Sequence, residues 1–256
     1  HTTCDPGETS PVFREAILHR INYFRSMAGI PLVNAFKTDY TTKAQAAALM
    51  MSVNRKLSHT PDSSWLCYSE AGREGAGSSN LYLGVYGPQA ISGYVNAPGT
   101  GNYFVGHRRW ILYPQTQYMG TGDIPPTDGY PAANALWVFD LENMWGPRPA
   151  TRESYIAWPP PGYVPYQVVY PRWSFAVAGA NFDQSSISMS LNGETLAVTR
   201  LTPVYGYGEA TLVWEPAISF TALTSDTAYQ VMISGVLLGE MLQNYTYTVI
   251  IFNPDQ

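Results

Sequence analysis

Apolar residues recur at helical spacing through Phe13, Ala16, Ile17, Ile21, Phe24 and Met27, the period of an amphipathic helix. Ser10 and Pro11 supply a cap and a first-turn proline, and Gly29 supplies a stop. Glu15, His19, Asn22 and Ser26 fall on the opposite face, which makes His19 a solvated residue. A second helical pattern runs from Thr38 to Lys56. Ala44, Ala46, Ala47 and Ala48 permit close packing there before Met50, Met51 and Val53 fill a core. Pro61 ends this pattern and leaves His59 at its terminus, facing a cleft instead of the core. From Glu70 to Gly84 glycines are too frequent for a free-standing helix, each costing about 1 kcal/mol relative to alanine, so they predict a close backbone approach. Gln89 to Val95 predicts a short helix with Ile91, Tyr94 and Val95 inward. Gly101 to Gly122 predicts a short helix and a strand. Ala135 to Phe139 is apolar on both faces and predicts a strand interior to a sheet.

The period then changes from 3.6 to 2. Ile187, Met189 and Leu191 alternate with serines, Asn192-Gly193 supplies a hairpin turn, and Tyr229, Val231 and Ile233 alternate again, as do Tyr245, Tyr247, Val249 and Ile251. Between the two regimes stands Trp158-Pro-Pro-Pro-Gly-Tyr-Val-Pro165, whose prolines predict a semi-rigid extended connector. The expected organisation is a first domain over 1–157, a linker over 158–165, and a small all-β sandwich of immunoglobulin-like type over 166–256. The fold class is α+β, with helices first and strands later in the N-terminal half.

Composition narrows the function classes. Charged residues make up 13% of the chain, against a usual ~25%, and the remainder is rich in uncharged polar residues, a balance more typical of exported proteins. The net charge is −5 with no basic run, so nucleic acid is excluded as a partner. No apolar run reaches the ~20 residues of a membrane span. Cys4 and Cys67 are the two cysteines. A single bridge between them would tie down the first residues, be worth about 4 kcal/mol on the chain-entropy model, and imply an oxidising compartment; the alternative is one buried and one idle thiol. The expected location is outside the cell, in the periplasm or on the cell surface, with residue 1 a processed or trimmed end.

Asn22-Tyr-Phe-Arg25, Gly29-Ile-Pro-Leu32, Ala44 to Met51, Ser58-His59-Thr60, Ser79-Asn80-Leu81, Gly106-His107-Arg-Arg-Trp-Ile-Leu112 and Met119-Gly-Thr-Gly122 occur in an order and spacing that resembles the CAP superfamily of cysteine-rich secretory proteins, venom antigens and pathogenesis-related proteins, and more closely its bacterial extracellular branch. The resemblance covers roughly residues 10 to 145. It implies an α-β-α sandwich, secretion, and a cleft bearing two histidines and two acidic residues that in some members hold a divalent metal. Carried over, the histidines are His59 and His107. The first acidic position is taken by Ser79, with Glu74 or Glu70 as substitutes earlier on the same segment, and the second has no carboxylate.

Two imidazoles and one carboxylate would suit an open zinc site, so His59 and His107 are the candidate metal ligands and zinc the foremost candidate ion; the other reading is two histidines hydrogen-bonded in a polar cleft. Arg108 and Arg109 are expected to be structural, one of them paired with Glu70 or Glu74, and Trp110 to be core. The expected function is extracellular binding of a small molecule, glycan or protein in a cleft formed by His59, His107, Glu70, Glu74 and Ser79. One alternative is a metal-assisted hydrolase cleaving peptides or glycans with Glu74 as general base. Another is a copper oxidase built on the amine and imidazole of His1. No nucleophile elbow, zincin motif, Walker loop or dinucleotide fingerprint is present.

Overall fold

The computed structural model describes residues 3–127, 129–218 and 224–255. It contains α1 (Pro11–Met27), β1 (Ala35–Phe36), α2 (Thr38–Asn54), α3 (Glu70–Gly77), β2 (Ser79–Leu83), α4 (Gly87–Asn96), α5 (Gly106–Ile111), β3 (Tyr118–Ile124) and β4 (Ala133–Trp137). Ten further strands follow: β5 (Ile156–Trp158), β6 (Gly162–Pro165), β7 (Trp173–Ala176), β8 (Ala180–Asn181), β9 (Ser186–Leu191), β10 (Glu194–Leu196), β11 (Val198–Arg200), β12 (Thr211–Pro216), β13 (Thr227–Leu238) and β14 (Met241–Phe252). The chain divides into two compact units, the first 1–26, 31–94 and 114–150, the second 27–30, 95–113 and 151–256.

In the first unit a sheet ordered β1-β3-β4-β2 lies between helices. β1 runs parallel to β3, while β3 pairs with β4 and β4 with β2 in antiparallel register. β4 is buried along its whole length, as its two apolar faces require. α2 covers one face at backbone distance: a Cβ on Gly122 would sit 2.2 Å from the Ala44 carbonyl, and one on Gly120 2.5 Å from that of Tyr40. α3 packs onto α2 in the same way, because a Cβ on Gly75 would lie 2.1 Å from the Lys43 carbonyl oxygen. The segment from Glu70 is therefore a helix, capped by Ser69 Oγ, which accepts from Gly72 N at 3.0 Å. Its glycines serve a close approach, and the packing outweighs their unfavourable propensity. α1 and α4 meet through Arg20 Nε, which donates to Ser92 Oγ at 2.9 Å. On the sheet's other face Tyr94 donates its hydroxyl to Asn80 O and Asn134 Oδ1. The layers are helix, sheet, helix.

The second unit holds two sheets, one ordered β10-β9-β13-β14-β6 with β8 also on β13, the other β11-β12-β7-β5. They pack through aromatic side chains: Trp214 Nε1 on β12 donates to Met189 Sδ on β9 at 3.2 Å, and Phe175 on β7 lies against Tyr245 and Tyr247 of β14. The Asn192-Gly193 hairpin joins β9 to β10 as expected. The proline-rich segment corrects the linker expectation. Pro159, Pro160 and Pro161 lie between β5 and β6, and Pro165 ends β6 at the edge of its sheet, where a missing N–H disrupts no ladder; residues 158–165 fall inside the second unit. That unit also takes in α5 and 151–157, both assigned from sequence to the first domain.

Candidate functional site

His59 follows α2 on an exposed loop, and its Nδ1 lies 2.9 Å from the carbonyl of Ala76 in the last turn of α3. A carbonyl only accepts, so Nδ1 carries the hydrogen and, in the neutral ring, Nε2 keeps its lone pair. Glu70 opens α3 and accepts from the Tyr68 hydroxyl at 2.6 Å. Glu74, one turn on, is exposed and bound to Lys43 Nζ at 2.9 Å; Lys43 also binds Asp39 at 2.9 Å, and both carboxylates draw the ammonium's pKa upward. Ser79 begins β2, buried, with its hydroxyl lacking a hydrogen-bond partner. His59, Glu70, Glu74 and Ser79 thus belong to the first unit, on or against one helix-to-strand segment. His107, half-buried on α5, belongs to the second unit.

Arg108 and Arg109 correct the expected pairing with Glu70 or Glu74. Arg108 is 1% exposed and donates to Val95 O, Arg172 O and Ser174 Oγ at 2.6 to 2.9 Å. Arg109 donates to Val204 O and Glu209 O. Burial pulls the two guanidinium pKa values down to about 9 and about 10, so both remain charged at neutral pH. Arg108 Nη2 and Arg109 Nε have no partner and border a cavity of about 20 Å³, room for one water molecule. Trp110 is half-buried against Tyr113 and Tyr207, not a core residue.

Among the described residues no three His, Cys, Asp or Glu side chains come together so as to hold a metal ion. A catalytic zinc site holds its ion with three such ligands. His1 lies outside the described residues.

Sequence reasoning missed a cleft of about 370 Å³ in the first unit, between the N-terminal arm at Pro6 to Thr9 and Arg14, Phe36, Thr38, Thr41, Thr42 and Gln45. The arm is fixed twice. Cys4 and Cys67 form the expected disulfide, and Gln45 accepts from Thr9 Oγ1 while its amide donates to Pro6 O and Asp123 O. Lys37, the residue before α2, gives no side-chain cap, so the first-turn N–H groups of this helix are left for another acceptor. Thr41 Oγ1 is buried without a partner. The run Thr38-Asp-Tyr-Thr-Thr42 was the available signal, but nothing in its spacing points to the arm.

The first unit is an α-β-α domain with one disulfide, and the second is β-rich. Residues 18–140 match the model of the CAP, cysteine-rich secretory protein family; over this stretch the chain belongs to the CAP superfamily. No curated protein matches the chain. Among solved structures, PcoC, a methionine-rich copper resistance protein from Escherichia coli, aligns over 37% of this chain and 92% of its own with 12% identity and a TM-score of 0.28, a likeness that bears on neither fold nor function. No helix among the described residues is long and apolar enough to cross a membrane.

Proposed function

We propose that this chain is a secreted binding protein whose CAP domain takes a small ligand with an anionic group in the cleft beside the N-terminal arm. The observation that carries the reading is the double anchoring of the arm by the disulfide and Gln45, which pre-forms the cleft and removes the ordering cost of binding. Its volume of about 370 Å³ falls in the usual range of ligand pockets, about 300–1,000 Å³. Arg14 and the uncapped start of α2 supply positive potential for the anion, and Glu8 on the facing arm offers a partner for a cationic group on the same ligand. A hydrolase using Glu74 is the weaker reading, because this exposed carboxylate is already engaged in an ion pair with Lys43 at 2.9 Å, whereas a general base must be free to reach the proton it takes. A second reading places a ligand at His59 of the first unit, on one observation: His59 Nδ1 is engaged by Ala76 O, which leaves Nε2 to accept from a ligand.

Calorimetry with a panel of small carboxylates and amino acids tests this. A ligand should be found whose affinity falls at least about tenfold, or 1.4 kcal/mol, in Arg14→Ala and in Cys4→Ser, and is unchanged in His59→Ala. Loss of binding in His59→Ala with Arg14→Ala unaffected would transfer the function to His59. Metal analysis of the purified protein separates a metal-dependent version of that outcome.

A further inference from the structure

A second cleft in the first unit, about 380 Å³, is walled by Asn34, Gln115, Gln117 and Asn143 together with Pro31, Pro114, Pro147 and Pro149. None of these residues belongs to the arm cleft or to the histidine face. The amides are held in place from below. Asp140, fully buried, accepts through Oδ2 from the backbone N–H of Gln117 and of Tyr118 and from Asn143 Nδ2, at 2.9 to 3.0 Å. Asn143 Oδ1 in turn accepts from Gln117 Nε2 at 3.1 Å. That chain of bonds fixes which end of each amide is spent. Gln117 keeps its carbonyl oxygen for a ligand, Gln115 Oε1 is buried without a partner, and no side-chain bond of the exposed Asn34 amide competes with a donor or an acceptor.

The turn that contributes Asn143 and Gly146 to this wall also carries Trp145, 83% exposed. An indole so open leaves a large apolar face in water, one residue from the lining Gly146, where it can stack on a flat apolar ligand face. Leu32, exposed on the same wall, adds a smaller apolar contact. The one lining carboxylate, Glu142, is matched by Lys37 at 2.7 Å, so the cleft presents no net charge to a ligand.

We infer that this cleft binds a neutral glycan, with Trp145 stacking on the apolar face of a sugar ring and the amides reading its hydroxyls. Each sugar hydroxyl is both donor and acceptor, as is each side-chain amide, whereas a charged ligand would find no counter-charge here. The four prolines restrict the backbone of the wall before the ligand arrives, so little ordering accompanies binding. The site is independent of the arm cleft.

Affinity electrophoresis through soluble xylan, mannan and glucan, with pull-down on chitin and cellulose, tests the inference. At least one polysaccharide should retard the intact protein. Trp145→Ala, at an exposed surface position, should weaken that binding at least tenfold with an unchanged unfolding midpoint, and Gln117→Ala several-fold. Arg14→Ala, which strikes the arm cleft alone, and Tyr163→Ala, an exposed aromatic of the second unit, should leave it unchanged. Retardation by none of the polysaccharides, or binding indifferent to Trp145→Ala, overturns the inference. So does Trp145-dependent binding of a polyproline peptide in place of a glycan, since a proline-rich ligand would use the same indole.

Discussion

The two units build their interiors differently. In the first, helix meets sheet backbone to backbone: Gly120 and Gly122 of β3 and Gly75 of α3 stand where any side chain would strike α2, and the adjoining core sets many alanines and two methionines beside the rings of Tyr40 and Trp137. In the second, sheet meets sheet through large rings, with Trp158, Trp173, Trp214, Phe175 and Phe182 all fully buried. Buried polar groups do not follow the same division. The first unit joins Asp123, Asn134, Thr121 and Tyr94 in a network without a cation, but it also clamps irregular backbone with the buried Arg25, as the second does with Arg108, Arg109 and the half-buried Arg172, each donating to main-chain carbonyls. The first core thus has no room to gain an atom. The second cannot lose a ring without leaving a hole.

Trimming and adding atoms test that contrast most directly. Trp214→Ala should have the largest effect, about 4 kcal/mol lost in denaturant unfolding, because a ring buried on all sides is replaced by a cavity. Gly122→Ala should cost less, about 2 to 3 kcal/mol. That is far more than the same exchange does at an open glycine with ordinary backbone such as Gly101, where nothing lies within 4 Å of an added Cβ. If the two glycine variants behave alike, the backbone-contact account of the first unit is wrong. The smallest effect is a change of pH slope. Desolvation raises the Asp123 pKa against the bonds from Gly87 N, Asn134 and Thr121. A carboxyl raised in the folded state favours the folded, protonated form at acid pH, and that contribution is full below the unfolded value and lost as pH rises through the folded one. Between about pH 4 and pH 7 the intact protein should therefore lose stability relative to Asp123→Asn, which unfolding curves at several pH values would show; parallel curves would mean that Asp123 titrates normally.

Much of the architecture was readable along the chain. α1 and α4 follow their apolar spacing, Ser10 Oγ accepts from Phe13 N at the predicted start of α1, and the paired cysteines form their bridge. α3 was obscured because propensity counts its glycines against it, while the contact with Lys43 that makes glycine necessary is made by a helix about thirty residues away. Arg25 was hidden for a related reason. It sits in the last turn of an amphipathic helix, yet it is buried, donating to Pro31 O and Thr116 O, and a local pattern carries no sign of carbonyls supplied by distant loops.

The candidate sites were less legible. The histidines stood out by residue type, but the arm cleft and the amide cleft consist of ordinary threonines, amides and prolines whose only distinction is being brought together. Periodicity, capping and turn chemistry are short-range, so the order of residues by itself determined where helices, strands and the crosslink fall. Which residues share a cleft, which guanidinium finds a carbonyl and which glycine must stay bare depend on groups far apart in the chain. Those were decided only when the layers closed on one another, because desolvation and close contact arise from packing rather than from neighbours in sequence.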